Sequence, residues 1–109
     1  TVYLITRDIL GHGNKELGAV LMGSFMFTLL EIKPLPSTLM FINAGVHLTV
    51  EGSPVLEHLR NLAGQGVEIW SCGTCLDYYD LKDKLMVGTV TNMYSIVEEL
   101  SSAQKAVTL

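Results

Sequence analysis

The sequence predicts an α/β protein: a parallel sheet with helices packed on both faces. Two features carry that expectation. Five short β-branched or aromatic runs alternate with stretches of helical character, the pattern of repeated β-α-β units with right-handed crossovers. The first runs are also apolar without alternation, as strands covered on both faces must be. No repeat, low-complexity tract or linker interrupts the 109 residues, so a single domain over 1–109 is expected.

Each element has its own signal. Val2-Tyr3-Leu4-Ile5-Thr6 reads as the first strand, and residues 7–13 as a glycine-containing loop. Asn14 can cap a helix reaching about Ile32, where Lys33-Pro34-Leu35-Pro36 stops it. Thr38-Leu39-Met40-Phe41-Ile42 is the second buried strand. Asn43-Ala44-Gly45 breaks it, and a loop carries on to Ser53. Ser53 and Pro54 then signal a helix start, with Val55, Leu56, Leu59, Leu62 and Ala63 at helical spacing and Gly64 and Gly66 closing it. Val67-Glu68-Ile69-Trp70 is the third strand, running directly into a loop over 71–75. A short helical segment is expected over 76–85 and a fourth strand over 87–90. Asn92 or Ser95 opens a helix to about Ser102, Ser95 and Glu98 fitting a capping box. Residues 105–109 form the last strand.

Composition narrows the function. Seven basic against eleven acidic residues give a net charge of −4, which offers no basic face to a nucleic acid. Charged residues are 17% and apolar residues 49%, against roughly 25% charged in an average soluble domain. Apolar side chains beyond what a small core can hold belong in a partner interface, so a homo-oligomer is expected. The helix opened by Asn14 agrees: Leu17, Val20, Leu21, Met22, Phe25, Met26, Leu29 and Leu30 make it apolar nearly all round. One side would meet the sheet and the other a neighbouring subunit. The longest uncharged run, 17–30, is too short to span a membrane and carries Gly18, Gly23, Ser24 and Thr28, so no membrane association is expected. No secretory signal pattern opens the chain, and two closely spaced cysteines fit a reducing, cytoplasmic setting better than a disulfide scaffold.

In a parallel sheet the loops that follow the strands share the carboxyl edge, where ligands bind. Those loops bring His12, Asn43, His47, Cys72, Cys75 and Asn92 to one side of the molecule. Cys72-Gly73-Thr74-Cys75 is the motif that names a chemistry. Thiols at the start of a helical segment meet free backbone N–H groups that favour the thiolate, the form that attacks sulfane sulfur or disulfides. The plain alternative is a pair of small buried side chains. Zinc would need two more ligands, and only His12 and His47 could supplement the cysteines, so no metal and no other cofactor is expected. A thioredoxin-type site carries its CxxC earlier and needs a later cis-proline, whereas no proline follows Pro54 here. Covalent carriage of sulfur on one cysteine, with the second able to resolve it, remains. Gly11-His12-Gly13-Asn14-Lys15-Glu16-Leu17-Gly18 stands where a phosphate loop would, but Ala19-Val20 follows Gly18 and Glu16 replaces the needed glycine. It reads as a tight turn. His47 could stabilise a thiolate or accept a proton. His58, beside Glu57 and Arg60, reads as solvated.

Phe41-Ile42-Asn43-Ala44-Gly45-Val46 after the second strand and Cys72-Gly73-Thr74-Cys75 after the third resemble the DsrE/DsrF-like domains. Residues 11–18, 72–79 and Thr91-Asn92-Met93-Tyr94 look closest to the C-terminal domain of YedF-type selenium-metabolism proteins. The resemblance implies a three-layer α/β/α fold with a five-stranded parallel sheet, oligomeric assembly and a cytoplasmic sulfur-relay role. It also implies a persulfide on the cysteine just past the third strand, here Cys72, with the role of Cys75 open and the cargo sulfur or selenium. Sulfur donor and acceptor proteins are the implied partners, among them a TusA-like carrier domain that such proteins often bear in front. This chain begins at Thr1 without one, which fits an excised domain or a stand-alone homologue. The function expected is thus a sulfurtransferase or sulfur carrier. Cys72 and Cys75 act in it, and His12, Asn43, His47, Gly73 and Asn92 stabilise the anionic sulfur. A dithiol–disulfide oxidoreductase and a non-catalytic binding module are the rival readings.

Overall fold

The computed structural model describes all 109 residues. Strands β1 (Val2–Ile5), β2 (Thr38–Phe41), β3 (Glu68–Cys72), β4 (Thr89–Thr91) and β5 (Ala106–Thr108) form one parallel sheet in the order β4-β3-β2-β1-β5. Helices α1 (Lys15–Leu29), α2 (Leu56–Gly64), α3 (Gly73–Tyr78) and α4 (Met93–Ser102) connect them. The three-layer α/β/α architecture expected from the sequence is what the chain adopts.

The strand order decides how the layers fill. The chain steps in one direction from β1 to β4, so right-handed crossovers put α1, α2 and α3 on one face. The return from β4 to β5 reverses direction and puts α4 alone on the other. The larger core lies on the three-helix side, where Ile5, Leu39, Phe41 and Ile69 meet Met22, Met26, Leu29, Leu59, Leu62 and Leu76. On the α4 side a smaller cluster joins Val2, Met40, Cys72 and Ile96. Thr38 Oγ1 donates to Glu99 Oε2 there at 2.7 Å, tying β2 to α4.

Caps are placed as the sequence suggests at Asn14, whose Oδ1 accepts from Leu17 N–H at 2.9 Å. At the last helix the choice falls on Asn92: its Oδ1 accepts from Ser95 N–H at 2.9 Å, so Ser95 does not open a capping box. Other boundaries shift. Helix α1 stops at Leu29 rather than near Ile32. Ser53 Oγ accepts from Val55 N–H at 3.2 Å, forming a turn ahead of α2 instead of its cap, and α2 starts at Leu56. The fourth strand begins at Thr89, because Gly88 at φ +78° sits so close to the Ile69 carbonyl that a Cβ would collide with it. On the side of α1 that the sequence assigned to a neighbouring subunit, Leu17, Val20, Leu21 and Phe27 are solvent-facing in the single chain. His58, expected to be solvated, is half-buried and packs edge-on to Phe27, ring centroids 5.8 Å apart. No helix is long and apolar enough to cross a membrane.

Candidate functional site

Strand β3 runs two residues further than the sequence suggests, and this divides the cysteine motif. Ser71 and Cys72 pair with Val90 and Thr91 of β4, so Cys72 is a strand residue rather than a loop residue. Alternation along β3 puts Glu68, Trp70 and Cys72 on the α4 face and Ile69 and Ser71 on the other. Cys72 is 3% exposed among Val2, Met40 and Ile96. The expected reachable thiol at position 72 is therefore corrected: its side chain is part of a core, the plain alternative for a free cysteine.

Helix α3 starts at Gly73, not near Leu76, which places Cys75 in its first turn. A Cβ at 73 would press on Val90 Cγ1 and touch the Thr91 carbonyl, so α3 passes β4 closely at this glycine. Past Tyr78 the chain turns at Asp80 (φ +57°), and only the short 3₁₀ turn Lys82–Lys84 follows, not one helical segment over 76–85. Cys75 is half-buried and borders a cavity of about 450 Å³ with Asn43, Thr74, Tyr78 and Tyr79. Cys75, Tyr78 and Tyr79 stand at i, i+3 and i+4, one face of a helical turn.

The opposite wall comes from the 3₁₀ turn Asn43–Leu48 after β2. Gly45 in this turn lies on the end of β1, with a Cβ at that position colliding with the Ile5 carbonyl. Thr49 pins the turn from below: its Oγ1 donates to the Val46 carbonyl at 3.0 Å and lies 2.7 Å from Ser71 Oγ, both hydroxyls fully buried. Held in this way, Asn43 adopts φ +51°, and its backbone N–H donates to Cys75 Sγ at 3.1 Å. A left-handed backbone is uncommon outside glycine and asparagine and concentrates at functional sites. Tyr79 Oη donates to Asn43 Oδ1 at 2.8 Å. The Tyr79 ring packs edge-on to His47 (4.6 Å) and to Tyr78 (5.4 Å). His47 Nδ1 bonds the Ala44 carbonyl at 3.0 Å, which leaves Nε2 as its other nitrogen.

Burial pushes the Cys75 thiol above its ordinary value. The Asn43 N–H works against that shift, and the neighbouring Cys72 thiol adds a smaller upward push. Cys75 is thus an accessible thiol whose ionisation burial disfavours, with a donor already aimed at the sulfur, not the readily formed thiolate expected from a helix start. Cys75 packs against both the large and the small core cluster, which brings it next to Cys72.

Of the other residues singled out in the sequence, His47 reaches the site through Tyr79 and Gly73 through the backbone of α3. His12 and Asn92 make their side-chain hydrogen bonds to other partners. His12 Nδ1 lies 3.0 Å from Arg7 Nη1, which also donates to the Gly11 carbonyl at 2.8 Å, a local brace of the β1–α1 loop. Asn92 is occupied as the α4 cap. Thr74, Tyr78 and Tyr79 were missed. For the two tyrosines the signal was the i, i+3, i+4 spacing from Cys75, which becomes readable once α3 is known to start at Gly73, whereas Thr74 simply precedes Cys75. No cluster of three or more His, Cys, Asp or Glu side chains suits a metal ion.

No protein-family model matches the chain, and no curated protein does. Solved structures do share the fold. A protein of unknown function, MTH1491 from Methanobacterium thermoautotrophicum, is similar at 19% identity and a TM-score of 0.74, covering 99% of this chain and 96% of that one. The YchN protein of E. coli matches at 17% identity and TM-score 0.75 (99% and 97% covered). The conserved protein of unknown function BT1422 from Bacteroides thetaiotaomicron matches at 15% and 0.65 (99% and 94%). At these identities the likeness speaks for the fold.

Proposed function

We propose that this chain is a sulfur carrier or sulfurtransferase of the DsrE-like kind, with Cys75 rather than Cys72 as the sulfur-bearing residue. The observation that carries the reading is a single accessible sulfur at the mouth of a cavity, receiving a backbone N–H from a residue in a left-handed conformation. In the loading step Cys75 gives its proton to solvent, and the thiolate then attacks the outer sulfur of a donor persulfide R–S–SH. The donor S–S bond breaks, R–S⁻ leaves, and Cys75–S–SH forms. The added sulfur lengthens the side chain by about 2 Å, and at the border of the cavity its charge has room to stand clear of the packing that disfavours charge on Sγ. An acceptor thiolate then takes that outer sulfur, and the Cys75 thiolate is regenerated.

A dithiol–disulfide cycle is the second reading, favoured by the buried thiol beside Cys75. Cys72 would attack the inner sulfur of the Cys75 persulfide, expel HS⁻ and leave a Cys72–Cys75 disulfide, which an external dithiol must reduce. Both readings begin at Cys75. Intact-mass analysis after incubation with a small-molecule persulfide separates them. A gain of one sulfur atom in the wild type and in Cys72→Ala, with none in Cys75→Ser, supports the carrier. Loss of two hydrogens in the wild type supports the disulfide cycle, and loading of Cys75→Ser at the wild-type level overturns both. The cytoplasmic setting and the protein donor and acceptor, a TusA-like carrier domain among them, belong to the same proposal. So does a homo-oligomer formed through the exposed apolar side of α1.

A further inference from the structure

The contacts around Cys75 close on themselves. The backbone runs from Cys75 through one helical turn to Tyr79, whose N–H donates to the Cys75 carbonyl at 3.1 Å. The Tyr79 hydroxyl then holds the Asn43 carboxamide, and the Asn43 N–H returns to Cys75 Sγ. We propose that Tyr79 is a positioning residue for the sulfur site: through Asn43 Oδ1 it holds residue 43 in the left-handed conformation that aims its N–H at whatever sulfur anion Cys75 carries. The inference rests on the reading of Cys75 as the reactive sulfur and adds the device that prepares it.

Three observations support the role. The Tyr79 hydroxyl is bonded to Asn43 and not to the sulfur, and the Asn43 N–H is what reaches Sγ, so the contribution argued for Tyr79 is one of orientation. Its ring is fixed on two sides, by His47 at 4.6 Å and Tyr78 at 5.4 Å, which leaves the hydroxyl a narrow range of positions. Asparagine tolerates φ +51° better than other non-glycine residues, and a bond to its side chain adds to that tolerance a preference for the one conformation that aims the N–H at the sulfur. Gly45 anchors the 3₁₀ turn on the end of β1, two residues along, and Tyr79 anchors its first side chain. A donor aimed at a charged acceptor is worth more than one between neutral groups, so a lost aim is felt chiefly by the thiolate and the persulfide anion.

The test is a double-mutant cycle on the full chain in a Cys72→Ala background, so that Cys75 alone reacts. Iodoacetamide alkylation near neutral pH and thiolate absorbance across pH are the readouts. Tyr79→Phe keeps the ring and removes only the link; it should slow alkylation roughly three- to tenfold and move the thiolate midpoint upward. Glycine adopts positive φ unaided, so in Asn43→Gly the further change Tyr79→Phe should alter neither readout. Should Tyr79→Phe not fold, Asn43→Ala cuts the same link from its other end and should react more slowly than Asn43→Gly. Unchanged alkylation in Tyr79→Phe, or equal slowing in the Asn43→Gly background, overturns the role assigned to Tyr79. The two readings fail separately. Absence of sulfur loading at Cys75 removes the carrier while the alkylation cycle stands, and a flat cycle removes the positioning while loading stands.

Discussion

Cys72 and Cys75 stand three residues apart in one motif and belong to different regions of the molecule. Cys72 closes β3 and faces α4, in the smaller core with Val2, Met40 and Ile96. Cys75 lies in the first turn of α3 and faces the rim where the 3₁₀ turn Asn43–Leu48 crosses the end of β1. The same side chain has become core packing in one place and part of a cavity wall in the other. A strand pointing down and a helical turn pointing out are enough to make the difference. Spacing in a CxxC motif keeps the two cysteines near each other along the chain without giving them equal access.

That contrast can be pressed hardest by chemical labelling. In the native protein Cys75 should react with iodoacetamide at least about a thousandfold faster than Cys72, whose exposure requires opening of the α4 side. Peptide-resolved mass spectrometry after a timed pulse measures the ratio, and comparable rates would dissolve the distinction. A second break targets the rim alone. Gly45→Ala drives a Cβ into the Ile5 carbonyl, so the 3₁₀ turn must lift; a loss of roughly 2–4 kcal/mol in urea denaturation is expected, together with slower labelling of Cys75. Substituting the cysteines themselves sharpens the comparison. Cys72→Ser places a hydroxyl among aliphatic side chains and should lower stability by about 1–3 kcal/mol, while Cys75→Ser at the cavity stays within about 0.5 kcal/mol.

The smallest effect is a drift with pH. The Cys75 thiol is raised in the folded chain, so the folded state holds its proton at pH values where the unfolded chain has released it. Stability from this group is whole below the ordinary cysteine value and declines as pH climbs past it toward the raised one. Thermal melts at increasing alkaline pH should show a steeper decline in the wild type than in Cys75→Ser. A decline of equal slope in both would mean that Cys75 is not the group responsible.

Most of the fold was legible because it follows from local signals: apolar runs for β1 to β3, asparagine caps at 14 and 92, and prolines after α1. The site was half legible. The motif and Asn43 both fall beside the cavity, yet which of the two cysteines lines it turned on where β3 ends. Ending it at Trp70 leaves Cys72 in a loop and free. Carrying it to residue 72, as pairing with Thr91 does, makes the parity of Glu68 and Trp70 decide the direction of Cys72. That pairing is a long-range event with no trace in the local sequence. Tyr79 escaped for a related reason, since its reach to Asn43 depends on the length of α3 and on the turn at Asp80.

The two borders of the sheet, β4 and β5, are its shortest strands at three residues each. So brief a row of free amide and carbonyl groups gives an incoming peptide little to zip onto, which discourages runaway fibre growth through strand addition. Whatever this molecule meets in solution, it is built to be approached from its helical flanks or its rim rather than stitched to a neighbour along its sides.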